Sequence, residues 1–283
     1  MIRKFIYIGS PATPTVTTVA YVFGGYSTTT IADTDQYDPD TWVSKTNTLI
    51  AKRQSAAVTI SSKGYMIGGI NSASAKILDT DEYVSDSWTS KTDTPAPARR
   101  LMGASTIGTA GYIYAGQSGS PLQDTDQYIP DTWTSKTSMP TPARRLLAGS
   151  TIGSAGYVFG GINQLADTDE YTPDTWASKT DMPVGKHALM ASTIDSKGYV
   201  YGGITTVYTK TCDEYSPDTW TSKTDMPATA GYGGASSIGS AGYVTGGSGG
   251  GATQDTDEYA PDTWTSKTDM PTPGRYDHSQ TSI

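Results

Sequence analysis

The chain has 283 residues; 35% are hydrophobic, 31 are glycine, and the formal net charge is −8. That acidic balance argues against nucleic acid or an anionic membrane surface as a general partner. A single cysteine, Cys212, leaves no internal disulfide framework, and no apolar run reaches the roughly 18 residues that a membrane-spanning helix needs.

Taken from its start, the chain opens on Met1-Ile-Arg-Lys, followed by an apolar segment too short for a signal peptide. The expected location is therefore cytoplasmic or virion-associated. Residues 1–16 read as an N-terminal arm, because Lys4-Phe-Ile-Tyr-Ile-Gly9 has strand propensity and Pro11 and Pro14 set it apart. This arm either packs on the chain's own fold or acts as an anchor, with residues 1–15 engaging an assembly partner.

From residue 17 to residue 283 one pattern repeats. Its tryptophans fall at Trp42, Trp88, Trp133, Trp176, Trp220 and Trp264, so the intervals are 46, 45, 43, 44 and 44 residues. A fixed period in this range signals a repeat architecture. The fourth copy gives the grammar. Leu146 to Ile152 predicts a small-residue strand, Gly153-Ser-Ala-Gly156 a turn, and Tyr157-Val-Phe-Gly-Gly161 an aromatic strand. After a variable loop, Thr168 to Tyr171 predicts a third strand, Pro173-Asp174 a type I turn, and Trp176 to Thr180 a fourth strand.

Four strands per copy and six copies predict an all-β fold: a six-bladed β-propeller of four-stranded antiparallel blades. The small-residue strand lies nearest the axis and the tryptophan strand outermost. The tryptophans pack between blades and serve as scaffold. Lys45, Lys91, Lys136, Lys179, Lys223 and Lys267 sit in the outer strands, where they blunt exposed edges. The repeated Asp-Thr-Asp pairs, such as Asp33 with Asp35, are expected to be solvated or to bond nearby hydroxyls and backbone. They lack the dense oxygen ligands of a calcium loop. Residues 274–283 match an inner strand with nothing after it, whereas the first copy lacks a convincing inner strand. The C-terminal strand is therefore expected to complete blade 1 and close the ring.

Tyr157-Val-Phe-Gly-Gly161, Tyr171, Trp176 and Asp181-Met-Pro183 together resemble the kelch repeat, and the resemblance covers residues 17 to 283. It implies a propeller fold and a habit of binding proteins on the face formed by two loop sets. One set joins each outer strand to the next inner strand; the other joins the second and third strands. The latter diverge among otherwise similar copies, as in Tyr26 to Ala32, Ile70 to Leu78 and Ile204 to Lys210. Drift in tolerant loops and selection for recognition explain that divergence equally well.

The former set carries cationic pairs before the inner strands: Lys52 and Arg53, Arg99 and Arg100, Arg144 and Arg145, Lys186 and His187, then Arg275 and Tyr276. Only the sixth copy breaks the series, with Ala230 and Gly231. The candidate binding residues are thus Arg53, Arg99, Arg100, Arg144, Arg145, Lys186, His187 and Arg275, forming a collar around one channel mouth. Such a collar suits a carboxylate or acidic peptide, because arginine recognises carboxylates in a planar, bidentate way. Arginine is also part of the kelch pattern and can simply satisfy loop carbonyls.

Catalytic chemistry is not evident. Two histidines, His187 and His278, cannot build the copper site of kelch-type oxidases, and Cys212 falls in a third strand as a packed thiol. No zinc spacing occurs. A sialidase-like glycan enzyme would need an arginine triad with a tyrosine and an acid, and the Asp-box pattern does not fit Ser85 to Trp88. The unique residues His187, Asp195, Tyr232 and His278 form no nucleophile–base set. No cofactor or metal is expected. The reading is a non-catalytic interaction module with a protein or glycan partner on the loop face, suited to a virion appendage or surface decoration. The alternative is an intracellular adaptor that binds an acidic peptide at the mouth.

Overall fold

The computed structural model describes residues 18–283; the expected arm and anchor, residues 1–16, lie outside them. Six four-stranded antiparallel sheets form the blades of a propeller. Blade 4 is typical, with strands Ala148–Ile152, Ala155–Phe159, Thr168–Thr172 and Thr175–Ser178. The inner strand starts two residues later than the sequence suggests. Leu146 turns away at φ 59° to meet the channel mouth.

Blade 1 is built from both ends of the described chain. Ser279–Ser282 pairs with Ala20–Tyr26, aligning Phe23 with Ser279 and Ala20 with Ser282. Val19 and Ile283 add two backbone hydrogen bonds beyond this ladder. The ring is therefore closed by hydrogen bonding between strands and not by chain continuity.

The core lies between blades. Ile152 and Phe159 of blade 4 cluster with Leu189, Val200 and Tyr215 of blade 5, and the other interfaces repeat the scheme. Each fully buried side chain of this size contributes about 1.5–3 kcal/mol. Near the axis, close packing fixes residue size: a Cβ at Gly149 would run into the backbone of Ala104 on the neighbouring inner strand. Further along, Thr106 donates to the Thr59 carbonyl at 2.9 Å, Thr151 to that of Thr106 at 2.8 Å, and Thr193 to that of Thr151 at 2.5 Å. Inner strands are thus stitched to their neighbours by hydroxyls.

The outer tryptophans pack against the preceding blade, as Trp220 does on Phe159, but to unequal depth. Trp88 is buried, but Trp42, Trp133, Trp176, Trp220 and Trp264 are only partly so, because nothing packs outside them. Each indole also reaches the preceding blade: Trp220 Nε1 donates to the Thr180 carbonyl at 2.9 Å, and Trp42 Nε1 to that of Thr268 across the closure. The turn aspartates answer from the same side. Thr180 N–H donates to Asp218 and Thr268 N–H to Asp40, at 2.7 and 2.8 Å. In blades 1, 2 and 3 the turn is not type I, since Asp40, Asp86 and Asp131 have φ of 70°, 58° and 67° and the third residue of a type I turn has negative φ.

The outer lysines lie on the opposite face from tryptophan, as strand alternation requires. Four of them pair with a third-strand glutamate, for example Lys179 with Glu170 at 3.3 Å. Blades 1 and 3 carry Gln36 and Gln127 at that glutamate's position.

Candidate functional site: the collar at the channel mouth

The Asp-Thr-Asp strands and the cationic pairs meet, which the sequence does not reveal. The second aspartate of each pair, and Asp213 at the same position in blade 5, is buried, not solvated. In five blades its Oδ2 accepts a buried cation: Arg275 on Asp35, Lys52 on Asp81, Arg99 on Asp126, Arg144 on Asp169, and Lys186 on Asp213. Its Oδ1 commonly takes the serine of the outer strand, as Ser178 on Asp169 at 2.9 Å. Arg99, Arg144, Lys186 and Arg275 are at most 1% exposed. Four of the eight expected collar residues therefore belong to the blade interior. An internal carboxylate has claimed them, so no partner can.

The second member of each pair faces the mouth. Arg53, Arg100, Arg145 and His187 are half-buried, and short backbone ladders join them to the variable loops. Arg100 exchanges hydrogen bonds with Gln117, and His187 with Ile204; Arg53 pairs with Ile70. Both loop sets thus form one face. The guanidinium of Arg53 lies 4.1 Å from the ring centroid of Tyr26, which in turn packs on Tyr276 at 5.4 Å. Arg100 donates to Gln54 Oε1 at 2.8 Å and to Gln117 Oε1 at 3.2 Å. The Nε atoms of Arg53, Arg100 and Arg145 have no partner among the described residues. Burial and the neighbouring Arg145 hold His187 below its ordinary pKa, so it adds a neutral ring to this face near pH 7.

Inside the collar, the backbone makes a closed circuit. Gln54 N–H donates to the Asp277 carbonyl, Leu101 to Gln54, Leu146 to Leu101, Ala188 to Leu146, Tyr232 to Ala188, and Asp277 to Tyr232. All six bonds fall between 2.7 and 3.1 Å, and all six residues have φ between 53° and 61°. Left-handed backbone costs a non-glycine residue about 1–2 kcal/mol; it persists where the surroundings over-determine it, and here the circuit does so. Side chains of these six line a cavity of about 100 Å³ at the mouth. Leu101, Leu146 and Ala188 make one side apolar, whereas Gln54, Tyr232 and Asp277 make the other polar.

Asp277 is the distinctive member. It is 8% exposed, and its Oδ2 accepts from Gln54 Nε2 at 2.8 Å. Burial raises its pKa to about 6, against the opposing pull of the Gln54 bond, Arg53 and Arg100. Beside it, His278 is pushed down to about 3 by burial and Arg275 and is neutral at ordinary pH. Sequence reasoning singled out Tyr232 and His278 but missed Gln54 and Asp277. The available signal was divergence at one register position, two residues before each inner strand.

The expectation of a packed thiol holds. Cys212 is buried and its thiol is pushed up to about 12 by burial. Among the described residues no cluster of three or more histidine, cysteine or carboxylate groups is arranged to hold a metal.

No protein-family model matches the sequence, and no curated protein matches it. The fold is similar to the solved structure of YjhT, with a TM-score of 0.71 over 91% of this chain and 99% of that one. Identity is 14%, so the likeness concerns the propeller fold alone.

Proposed function

We propose that the protein is a non-catalytic interaction module of kelch type that binds an acidic peptide segment at the collar mouth. One observation carries this reading. After the buried aspartates have taken one cation of each pair, Arg53, Arg100 and Arg145 remain half-exposed around the mouth, on the face that also carries the variable loops. Three half-exposed guanidinium groups suit carboxylates, which arginine binds through charge-assisted, paired hydrogen bonds. The apolar side of the mouth, Leu101 and Leu146, would accept an aliphatic or aromatic side chain flanking the acid.

The test uses capped aspartate- and glutamate-rich peptides, with basic peptides of equal length as controls, followed by fluorescence polarisation. Acidic peptides should bind, binding should weaken with salt, and Arg100→Ala with Arg145→Ala should abolish it while leaving the melting temperature unchanged. Unaltered binding by that folded double variant, or no preference for acid over base, would reject the collar as the recognition site.

A further inference from the structure

Blade 6 builds the buried junction of the other blades incompletely. Asp257 is 7% exposed, and its Oδ1 accepts from Ser266 at 2.9 Å, as the repeat requires. Ala230 occupies the register position that holds Lys52, Arg99, Arg144, Lys186 or Arg275 in the other blades. Among the described residues no side chain donates to Asp257 Oδ2. Burial, together with the nearby charges of Asp255 and Asp269, raises this carboxyl's pKa, with only the Ser266 bond opposing. A cavity of about 240 Å³ lies beside Asp255 and Asp257 on the blade's flank, between Pro227 and Ala228 on one side and Ser266 and Asp269 on the other; blade 3 has a counterpart of about 220 Å³ beside Asp124 and Asp126, with Arg99 in place. Pro227, Ala228, Asp255 and Asp269 are exposed at the rim of the blade 6 cavity.

The sister blades indicate what such a junction takes. Arg99 contacts both Asp126 and Asp124, the latter at 3.6 Å, and Arg144 contacts Asp169 and Asp167, the latter at 4.0 Å. One planar guanidinium thus spans both carboxylates of an Asp-Thr-Asp pair. Asp255 and Asp257 are the corresponding pair in blade 6.

We propose that the flank cavity of blade 6 is a binding site for an arginine side chain supplied from outside the repeat, with Asp257 and Asp255 as its acceptors. This site is separate from the collar and opposite to it in sign: the collar takes acid and the flank takes base. Two sources carry the same chemistry. One is a basic segment of a partner protein; the other is this chain's own Arg3, which lies outside the described residues.

The full-length protein is titrated with capped arginine amide, using capped norleucine amide as control, and followed by amide chemical shifts. If the source is a partner, the wild type binds the probe. If the source is Arg3, the wild type does not bind, and an Arg3→Ala/Lys4→Ala variant does. Under either source Asp257→Asn, which preserves shape, weakens binding by about tenfold or more, the loss expected for a charge-assisted hydrogen bond. Ala230→Arg restores the junction in cis and blocks the probe; should that variant fail to fold, Asp257→Asn still decides. Absence of binding in both wild type and the Arg3→Ala/Lys4→Ala variant overturns the proposal, as does binding that Asp257→Asn leaves unchanged.

Discussion

Arg144 and Arg145 are neighbours in the chain with opposite roles. Arg144 is buried on Asp169, whereas Arg145 lies half-buried at the mouth. Removing one partner of a buried pair leaves a charge without compensation and costs about 3–5 kcal/mol. We therefore expect Arg144→Ala to lower the unfolding free energy measured in urea by an amount of that size. Arg145→Ala should stay within about 0.5 kcal/mol of wild type and affect binding instead. Asp277 and His278 form a second contrasted pair. The folded pKa of Asp277 is raised to about 6, so its contribution is present below the unfolded value and is lost as pH rises towards 6. The folded pKa of His278 is lowered to about 3, so its contribution is present above 6.5 and is lost as pH falls. Between pH 4 and 6 the two slopes oppose, each about 1.4 kcal/mol per pH unit. Asp277→Asn should expose the His278 slope, and denaturation at pH 4, 5 and 6 will measure it. The same variant should tighten acidic-peptide binding at pH 7, because it removes the one negative charge inside the collar. The cationic pairs were legible in the sequence, but their division into an inner and an outer member was not. Adjacent residues on an extended segment point to opposite sides, and only the packed blade decides which side is interior.

At the scale of the element, the outer strand shows how a repeated motif acts between blades. Tryptophan and the turn aspartate reach the same segment of the preceding blade, so Thr180 is held through its carbonyl by Trp220 and through its N–H by Asp218. Trp220→Phe keeps an aromatic ring against Phe159, which it meets at 5.4 Å, but loses the indole donor. The expected loss is about 1 kcal/mol in the unfolding free energy measured in urea, the net value of one such hydrogen bond. Strand identity and order were legible from the period-two alternation and the glycine-rich turns. The turn type in blades 1, 2 and 3 was not, because aspartate tolerates either sign of φ. The partial exposure of five tryptophans also escaped the sequence, since an outermost strand lacks a covering layer and composition does not report position in a stack.

The whole molecule depends on its closure. Residues 274–283 supply the inner strand of blade 1, the Arg275 that pairs with Asp35, and the Asp277 that completes the mouth circuit. Deleting them removes three different kinds of contact at one seam. We expect the deleted protein to show no cooperative unfolding transition by circular dichroism, and a melting curve like that of the full chain would refute this account of closure. The seam also ends the hydroxyl series on the inner strands. Thr59 reaches the Ser282 carbonyl at 2.7 Å, but Ser282 Oγ finds no partner. Blades 6 and 1 are thus where the repeat is least regular, and both the mouth acid and the flank junction lie there.

By itself the sequence determined the number of blades, their strands and the way the ends meet, because these follow from periodicity and local propensity, repeated six times. It also located the two loop sets and the cationic pairs. Only the tertiary structure decided which of those cations are spent on buried aspartates, which residues circle the mouth, and which blade leaves an aspartate without its cation. Those outcomes depend on contacts between segments some 25–30 residues apart within a blade, or at opposite ends of the chain, as Lys186 with Asp213 and Arg275 with Asp35. A repeat pattern records what each blade contains, but burial and charge pairing arise only when the blades are packed together.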